Sequence, residues 1–173
     1  MKGRIVGTEF TIRVAAPEDE PLVSALLRAS YPVLMRSSYD KTLLTGALPM
    51  ITQANPVLLS SGNYYLAEAW AGRAVGCGGW TRERPRSGEM VPDLGHIRHF
   101  ATHPGWIRRG IGYAVYKKCE DQARRVGVRR FECYASLNGE RFYEGLGFKA
   151  VREVAVPMGQ DLRFPSILME RSI

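Results

Sequence analysis

Cysteine is scarce in this chain. Cys77, Cys119 and Cys133 are the only three, widely spaced, with no CxxC pair. An odd, scattered set argues against a disulfide framework and a zinc site, and it fits a reducing cytoplasm. The three thiols therefore read as small buried hydrophobes. No His/Cys/Asp cluster with ligand spacing occurs, so no metal is expected. Apolar runs extend only a handful of residues, which predicts no transmembrane helix and no membrane partner. Residues 1–9 hold no apolar core of signal-peptide length. Long runs of lysine or arginine are also missing.

What is present bounds the class. At 173 residues the chain suits one domain over 1–173, and 45% hydrophobic content argues against disorder. The net charge of +7 fits a nucleic acid, an anionic surface or a small polyanion such as a nucleotide. The basic residues are interrupted by acids and lack interleaved aromatics, so no nucleic acid is expected as partner. A basic nucleic-acid-binding protein stays as an alternative whose mark is salt-dependent affinity.

Periodicity predicts alternating strands and helices. A strand over Phe10–Val14 precedes a helix opened by Pro17-Glu18-Asp19-Glu20, with Leu22, Val23, Leu26 and Leu27 on its core face. A second helical region spans 38–51. Residues 64–70 and 74–81 form a hairpin, 82–95 a loop, and 96–102 a strand. A helix over 110–126 buries Ile111, Ala114 or Val115, Cys119, Ala123 and Val126. Its outer face carries Glu120 with Arg124 and Asp121 with Arg125, and Gly127 ends it. A strand over 129–135, a short helix capped by Asn138, and strands over 148–156 and 164–170 follow. Gly76, Gly78 and Gly79 mark a bent or crowded strand, and Trp80 and Trp106 pack. The outline is mixed α/β (α+β), with strands first antiparallel and then joined by helical crossovers.

Two segments carry chemistry. Ile107-Arg108-Arg109-Gly110-Ile111-Gly112 opens a helix directly after a strand. Unpaired N–H groups and the positive end of the helix dipole make such a start a phosphate seat, and glycines let the phosphate come close. The second segment is Asn138-Gly139-Glu140-Arg141-Phe142-Tyr143-Glu144-Gly145-Leu146-Gly147-Phe148. No GxGxxG, GxxxxGK[ST] or GxSxG motif accompanies them.

The ordered pair, with His96 through Pro104 before it, resembles the GNAT superfamily of acyl-CoA-dependent N-acetyltransferases over nearly the whole chain. The resemblance implies a mixed, mostly antiparallel central sheet flanked by helices and splayed at an acyl-CoA site. It implies that Phe100, Ala101 and Thr102 offer free backbone groups to the pantetheine arm and acyl carbonyl. Ile107, Arg108, Arg109, Gly110, Ile111 and Gly112 would wrap the pyrophosphate, and Asn138 would touch the pantetheine. Ile107 departs from the family's usual Gln or Arg; it keeps the backbone donor and lacks the side-chain contact.

The resemblance implies acetyl-CoA as co-substrate and transfer to a primary amine by direct attack. Tyr143 is the expected general acid for the leaving thiolate, against a reading as a packing aromatic. His96 stands where family members often carry a glutamate base. An imidazole does that work, and a histidine that only hydrogen-bonds in the strand is the other reading. His99 faces the opposite side by alternation unless a bulge changes the phase. His103 reads as a turn residue. Arg124, Arg125, Arg129 and Arg130 read as solvated surface. By analogy, Tyr31, Arg36, Tyr39, Asp40 and the 82–95 loop shape the acceptor side, taking a small-molecule or peptide amine. A non-catalytic acyl-CoA-binding module is the alternative function. The family allows a homodimer, and the expected location is cytoplasmic.

Overall fold

The computed structural model describes residues 9–173; the signal-peptide expectation falls largely on 1–8, outside them. Seven strands make one sheet in the order β1-β2-β3-β4-β5-β7-β6. In chain order these are β1 (Phe10–Val14), β2 (Tyr64–Ala69), β3 (Arg73–Thr81), β4 (Leu94–Thr102), β5 (Arg130–Ser136), β6 (Lys149–Met158) and β7 (Leu162–Ser172). The helices are α1 (Glu20–Leu34), α2 (Lys41–Ile51), α3 (Pro56–Ser60), α4 (Ile111–Arg125) and α5 (Glu140–Gly145). No helix among the described residues is long and apolar enough to cross a membrane.

Each face of the sheet has its own core. One side packs under α4 and α5, with Tyr65, Ala67, Ile97, Val115, Cys119, Ala123 and Phe131. The other packs under α1 to α3, with Val23, Leu27, Leu58, Tyr64, Leu66 and Cys77. Tyr64 and Leu66 alternate with Tyr65 and Ala67, as the period of a strand requires. Arg13 of β1 grips both carboxylate oxygens of buried Asp19 at 2.7 Å, which fixes the first strand to the start of α1.

Neighbouring strands are antiparallel except β4 and β5. Those two run parallel and pair only at Leu94–Arg130, Gly95–Phe131 and His96–Glu132. Beyond His96 they separate, and a gap opens through the sheet. The register between β3 and β4 also slips: Cys77 faces Ala101 while Gly79 faces Arg98. Two residues of β4, His99 and Phe100, therefore oppose the single Gly78, which is a β-bulge. The phase change is visible in the cores: Ile97 lies under α4, and Ala101 lies against the α1 side.

Glycine makes the bulge sterically possible. A Cβ on Gly78 would sit 2.4 Å from the Phe100 ring, and one on Gly76 would sit 2.3 Å from Ile111 Cγ2. The crowded-strand reading of these glycines holds.

Several sequence expectations shift. The second helix starts at Lys41, capped by Asp40, whose carboxylate accepts from the N–H of Thr42 and Leu43. Pro49 lies inside it, and Pro56 opens α3. Val126 is exposed, because α4 ends before it. Glu120 is buried rather than outward, held by Lys117 at 2.5 Å, Arg124 at 3.1 Å and Arg171 at 3.5 Å. The cation on Arg124 thus serves a buried carboxylate, which sequence spacing alone does not reveal. Asn138 does not cap α5: it lies in a 3-10 turn over Leu137–Gly139, and Gly139 takes the cap position. The 82–95 segment is partly ordered, with a bridge between Glu83 and Met90.

Gly78→Ala is expected to destabilise the fold by about 1–3 kcal/mol through overpacking against Phe100. Thermal unfolding checks this; an unchanged Tm means the bulge has room to spare.

Candidate active site

The gap between β4 and β5 widens into a cleft of about 1090 Å3 that reaches both faces of the sheet. That volume is at the upper end of ordinary ligand pockets, ~300–1,000 Å3. On the α4 side it is bordered by Ile107, Arg108, Gly110, Phe142 and Tyr143. On the α1 side it is bordered by Tyr31, Met35, Met50, Ile51 and Phe164.

The wall of the cleft is the β4 bulge, and side chains hold its carbonyls. Tyr64 donates to the His99 carbonyl at 2.8 Å, Tyr31 to the Phe100 carbonyl at 2.8 Å, and Ser30 to the Thr102 carbonyl at 2.7 Å. His99 itself adopts a left-handed conformation, φ 56°, which is uncommon for a non-glycine residue. Three donors from α1 and β2 thus fix a strained strand. Phe100, Ala101 and Thr102 all border the cleft, but the Phe100 and Thr102 carbonyls are taken by Tyr31 and Ser30 and are not the free groups expected of them.

The turn into α4 is also left-handed twice, at Arg108 (φ 60°) and Gly110 (φ 80°). Such turns present successive backbone N–H groups to an anion, and the 15-residue α4 adds its dipole. Gly110 is needed for its backbone angle, with open space where a Cβ would be. Gly112 has another reason: a Cβ there would meet the Phe142 ring at 2.8 Å. The two arginines separate. Arg108 borders the cleft. Arg109 lies over the Trp106 ring at 4.5 Å and reaches Glu9 at 3.2 Å, so its side chain is engaged away from the seat. Ile107, Ile111 and Asn138 border the cleft with Arg108.

Tyr143 is buried among Phe100, Phe142 and Phe148, with ring centroids 6.4, 5.0 and 5.5 Å away. It borders the cleft, and its hydroxyl makes no hydrogen bond among the described residues. Burial raises its pKa well above the ordinary 10, with Cys133 and Tyr31 adding. The phenol therefore keeps its proton at neutral pH.

His96 is not in the cleft. It is 2% exposed, with neither ring nitrogen hydrogen-bonded. Its Nδ1 lies 3.6 Å from Glu132, which also faces Arg84 at 3.6 Å. The bulge lies beyond it in the strand, and the gap opens only there, so His96 is sealed where β4 and β5 still pair. The base assignment to His96 has no geometric support. His99 is the histidine that borders the cleft, because the bulge turns it toward α1 and α2. Tyr31 also borders the cleft. Tyr39 instead donates to the Pro165 carbonyl at 2.7 Å and stacks on Phe164. Arg36 and the 82–95 segment do not line it. All three cysteines are buried free thiols, and Cys133 borders the cleft.

A family model for the GNAT acetyltransferase domain matches residues 48–161. The chain belongs to the GNAT acetyltransferases. Its fold is that of solved members. A GCN5-related N-acetyltransferase from Rhodopseudomonas palustris is 21% identical, with TM-score 0.77 over 99% of this chain and 100% of that one. The PaiA N-acetyltransferase of Thermoplasma acidophilum, solved with coenzyme A, is 16% identical, with TM-score 0.71 over 95% and 99%. The ribosomal-protein-S18-alanine N-acetyltransferase of Escherichia coli is 17% identical, with TM-score 0.61 over 95% and 94%. The protein is thus an acyltransferase of the family that moves acetyl groups.

Burial above all, then Arg84 and Arg98, push the His96 pKa from 6.5 to about 4. Between those values the unfolded chain binds one proton more than the folded chain, so the stability due to neutral His96 is lost as pH falls from 6.5 to 4. Tm is therefore expected to fall more steeply across that window in the parent than in His96→Asn. Parallel curves would mean His96 titrates normally.

Proposed function

We propose that this enzyme transfers the acetyl group of acetyl-CoA to a primary amine by direct attack. The observation that carries this reading is the parting of β4 from β5 beside a phosphate-type turn and an unpartnered tyrosine. The residues fit the donor. The Arg108–Gly110 turn suits the pyrophosphate, the bulged strand at Phe100 to Thr102 suits the arm and acyl carbonyl, and Asn138 lies beside them. Acetyl-CoA supplies an activated carbonyl and a thiolate leaving group. A strand N–H at the bulge stabilises the negative charge that develops on the carbonyl oxygen. Tyr143, held neutral by burial, gives its proton to the departing sulfur.

Charge narrows the acceptor. Arg98, Arg108 and Arg141 line the cleft, and no carboxylate does among the described residues. The second ammonium of a polyamine would lie desolvated and unpaired there. The acceptor is therefore a small molecule or peptide that enters with one amine and no further cationic group.

Acetyl-CoA at a hundredfold excess over Kd is expected to stabilise the parent by about 2.7 kcal/mol. Gly110→Asp is expected to abolish this, because the left-handed angle suits glycine and a carboxylate repels phosphate. No stabilisation of the parent at millimolar ligand would remove the acetyl-CoA reading. Binding without amine-dependent thiol release would favour a binding module.

Tyr143→Phe is expected to keep that stabilisation and to lower kcat about 100-fold on the best amine. Full turnover would take Tyr143 out of the acid role.

A further inference from the structure

His99 supplies what the mechanism above lacks, a group to deprotonate the amine. Its Nε2 lies 2.9 Å from the Ile51 carbonyl at the end of α2. A carbonyl oxygen only accepts, so Nε2 carries the hydrogen and Nδ1 keeps its lone pair. No hydrogen bond reaches Nδ1 among the described residues, and the ring borders the cleft. An imidazole oriented by a bond to its far nitrogen, with the near nitrogen open to a cleft, is the arrangement that general bases share.

The surroundings favour a neutral ring. Tyr31 of α1 faces it with ring centroids 6.0 Å apart. Tyr64 of β2 donates to its carbonyl, Cys77 of β3 lies 3.9 Å from that carbonyl, and Arg98 precedes it in β4. From α2 it meets the Ile51 backbone.

We propose that His99 is the general base: Nδ1 takes a proton from the acceptor ammonium on the α1 side of the sheet. The inference rests on the amine-acetylation reading. The neutral amine then attacks the thioester carbon, forming a C–N bond as the C–S bond breaks. The ammonium loses two protons overall. The first passes through His99 to solvent. The second leaves the nitrogen for solvent after the C–N bond forms, and solvent returns one proton to the Tyr143 phenol that protonated the sulfur. Burial lowers the His99 pKa, opposed by its bond to Ile51 and aided by Arg98, so Nδ1 is free to accept at neutral pH.

His99→Gln retains an N–H donor for Ile51 and removes the base. At saturating amine its kcat is expected to fall about 100-fold, with the acidic limb of the pH profile lost and KM for acetyl-CoA unchanged. An unchanged kcat with the acidic limb intact overturns the proposal. Nitrogen-15 NMR of the parent gives a test that needs no active variant. The His99 signal, assigned by its absence from His99→Gln, is expected to show the hydrogen on Nε2 at neutral pH, and a hydrogen on Nδ1 overturns the proposal. A parent that releases no thiol with any amine overturns the acetylation reading itself, an outcome distinct from either.

Discussion

One surplus residue in β4 governs the geometry around it. With two residues opposite Gly78, the strand bends, its side-chain phase inverts, and its path leaves that of β5. The cost is a left-handed His99, of the order of 1–3 kcal/mol for a strained backbone. Hydrogen bonds from Tyr64, Tyr31 and Ser30 offset it, at about 0.5–1.5 kcal/mol each. The donors come from β2 and α1, so the functional strand is shaped by elements far from it in sequence. Tyr31 and Tyr64 belong to the α1-side core, so the bulge depends on that core.

The gap joins two faces that an intact sheet would keep apart. The α4 face supplies the left-handed turn, the helix N-terminus and Tyr143. The α1 face supplies His99, Tyr31 and the ends of α1 and α2. Acyl donor and acceptor can therefore approach from opposite sides and meet where the strands part. The only paired stretch of β4 and β5, around His96 and Glu132, closes the bottom of the opening. His96 lies buried in that paired stretch with neither ring nitrogen hydrogen-bonded.

Much of the fold was legible in the sequence because it rests on local rules. The α4 face repeats at helical spacing, Gly110 and Gly127 bracket it, and the strands alternate or carry turn residues at their ends. The turn at Arg108–Gly110 and the tyrosine of α5 were readable as motifs for the same reason. What was not legible depends on register between distant strands. Strict alternation puts His96 and His99 on opposite sides and gives no reason to prefer the second. The one local hint was Val75-Gly76-Cys77 continuing into Gly78 and Gly79, glycines dense enough to mark crowding on the partner strand. Likewise the spacing of Glu120 and Arg124 describes a surface pair equally well; only Lys117 and Arg171 converging on the same carboxylate make it a buried one. Arg109 was indistinguishable from Arg108 until Trp106 and Glu9 drew it aside.

Burial acts on the proposed acid and the proposed base in opposite directions and reaches the same result. It raises the Tyr143 pKa and lowers that of His99, so both rest uncharged. A carboxylate base in this position would be ionised and would draw any cation into the cleft. A neutral imidazole beside Arg98 does not. The proposed selectivity for an amine without a second positive charge rests on the same desolvation that sets the proton affinities. In the proposed reaction, acceptor choice and proton transfer share one physical setting: a cleft cut through the middle of a sheet, lined by tyrosine, methionine and phenylalanine and by arginine but no carboxylate among the described residues.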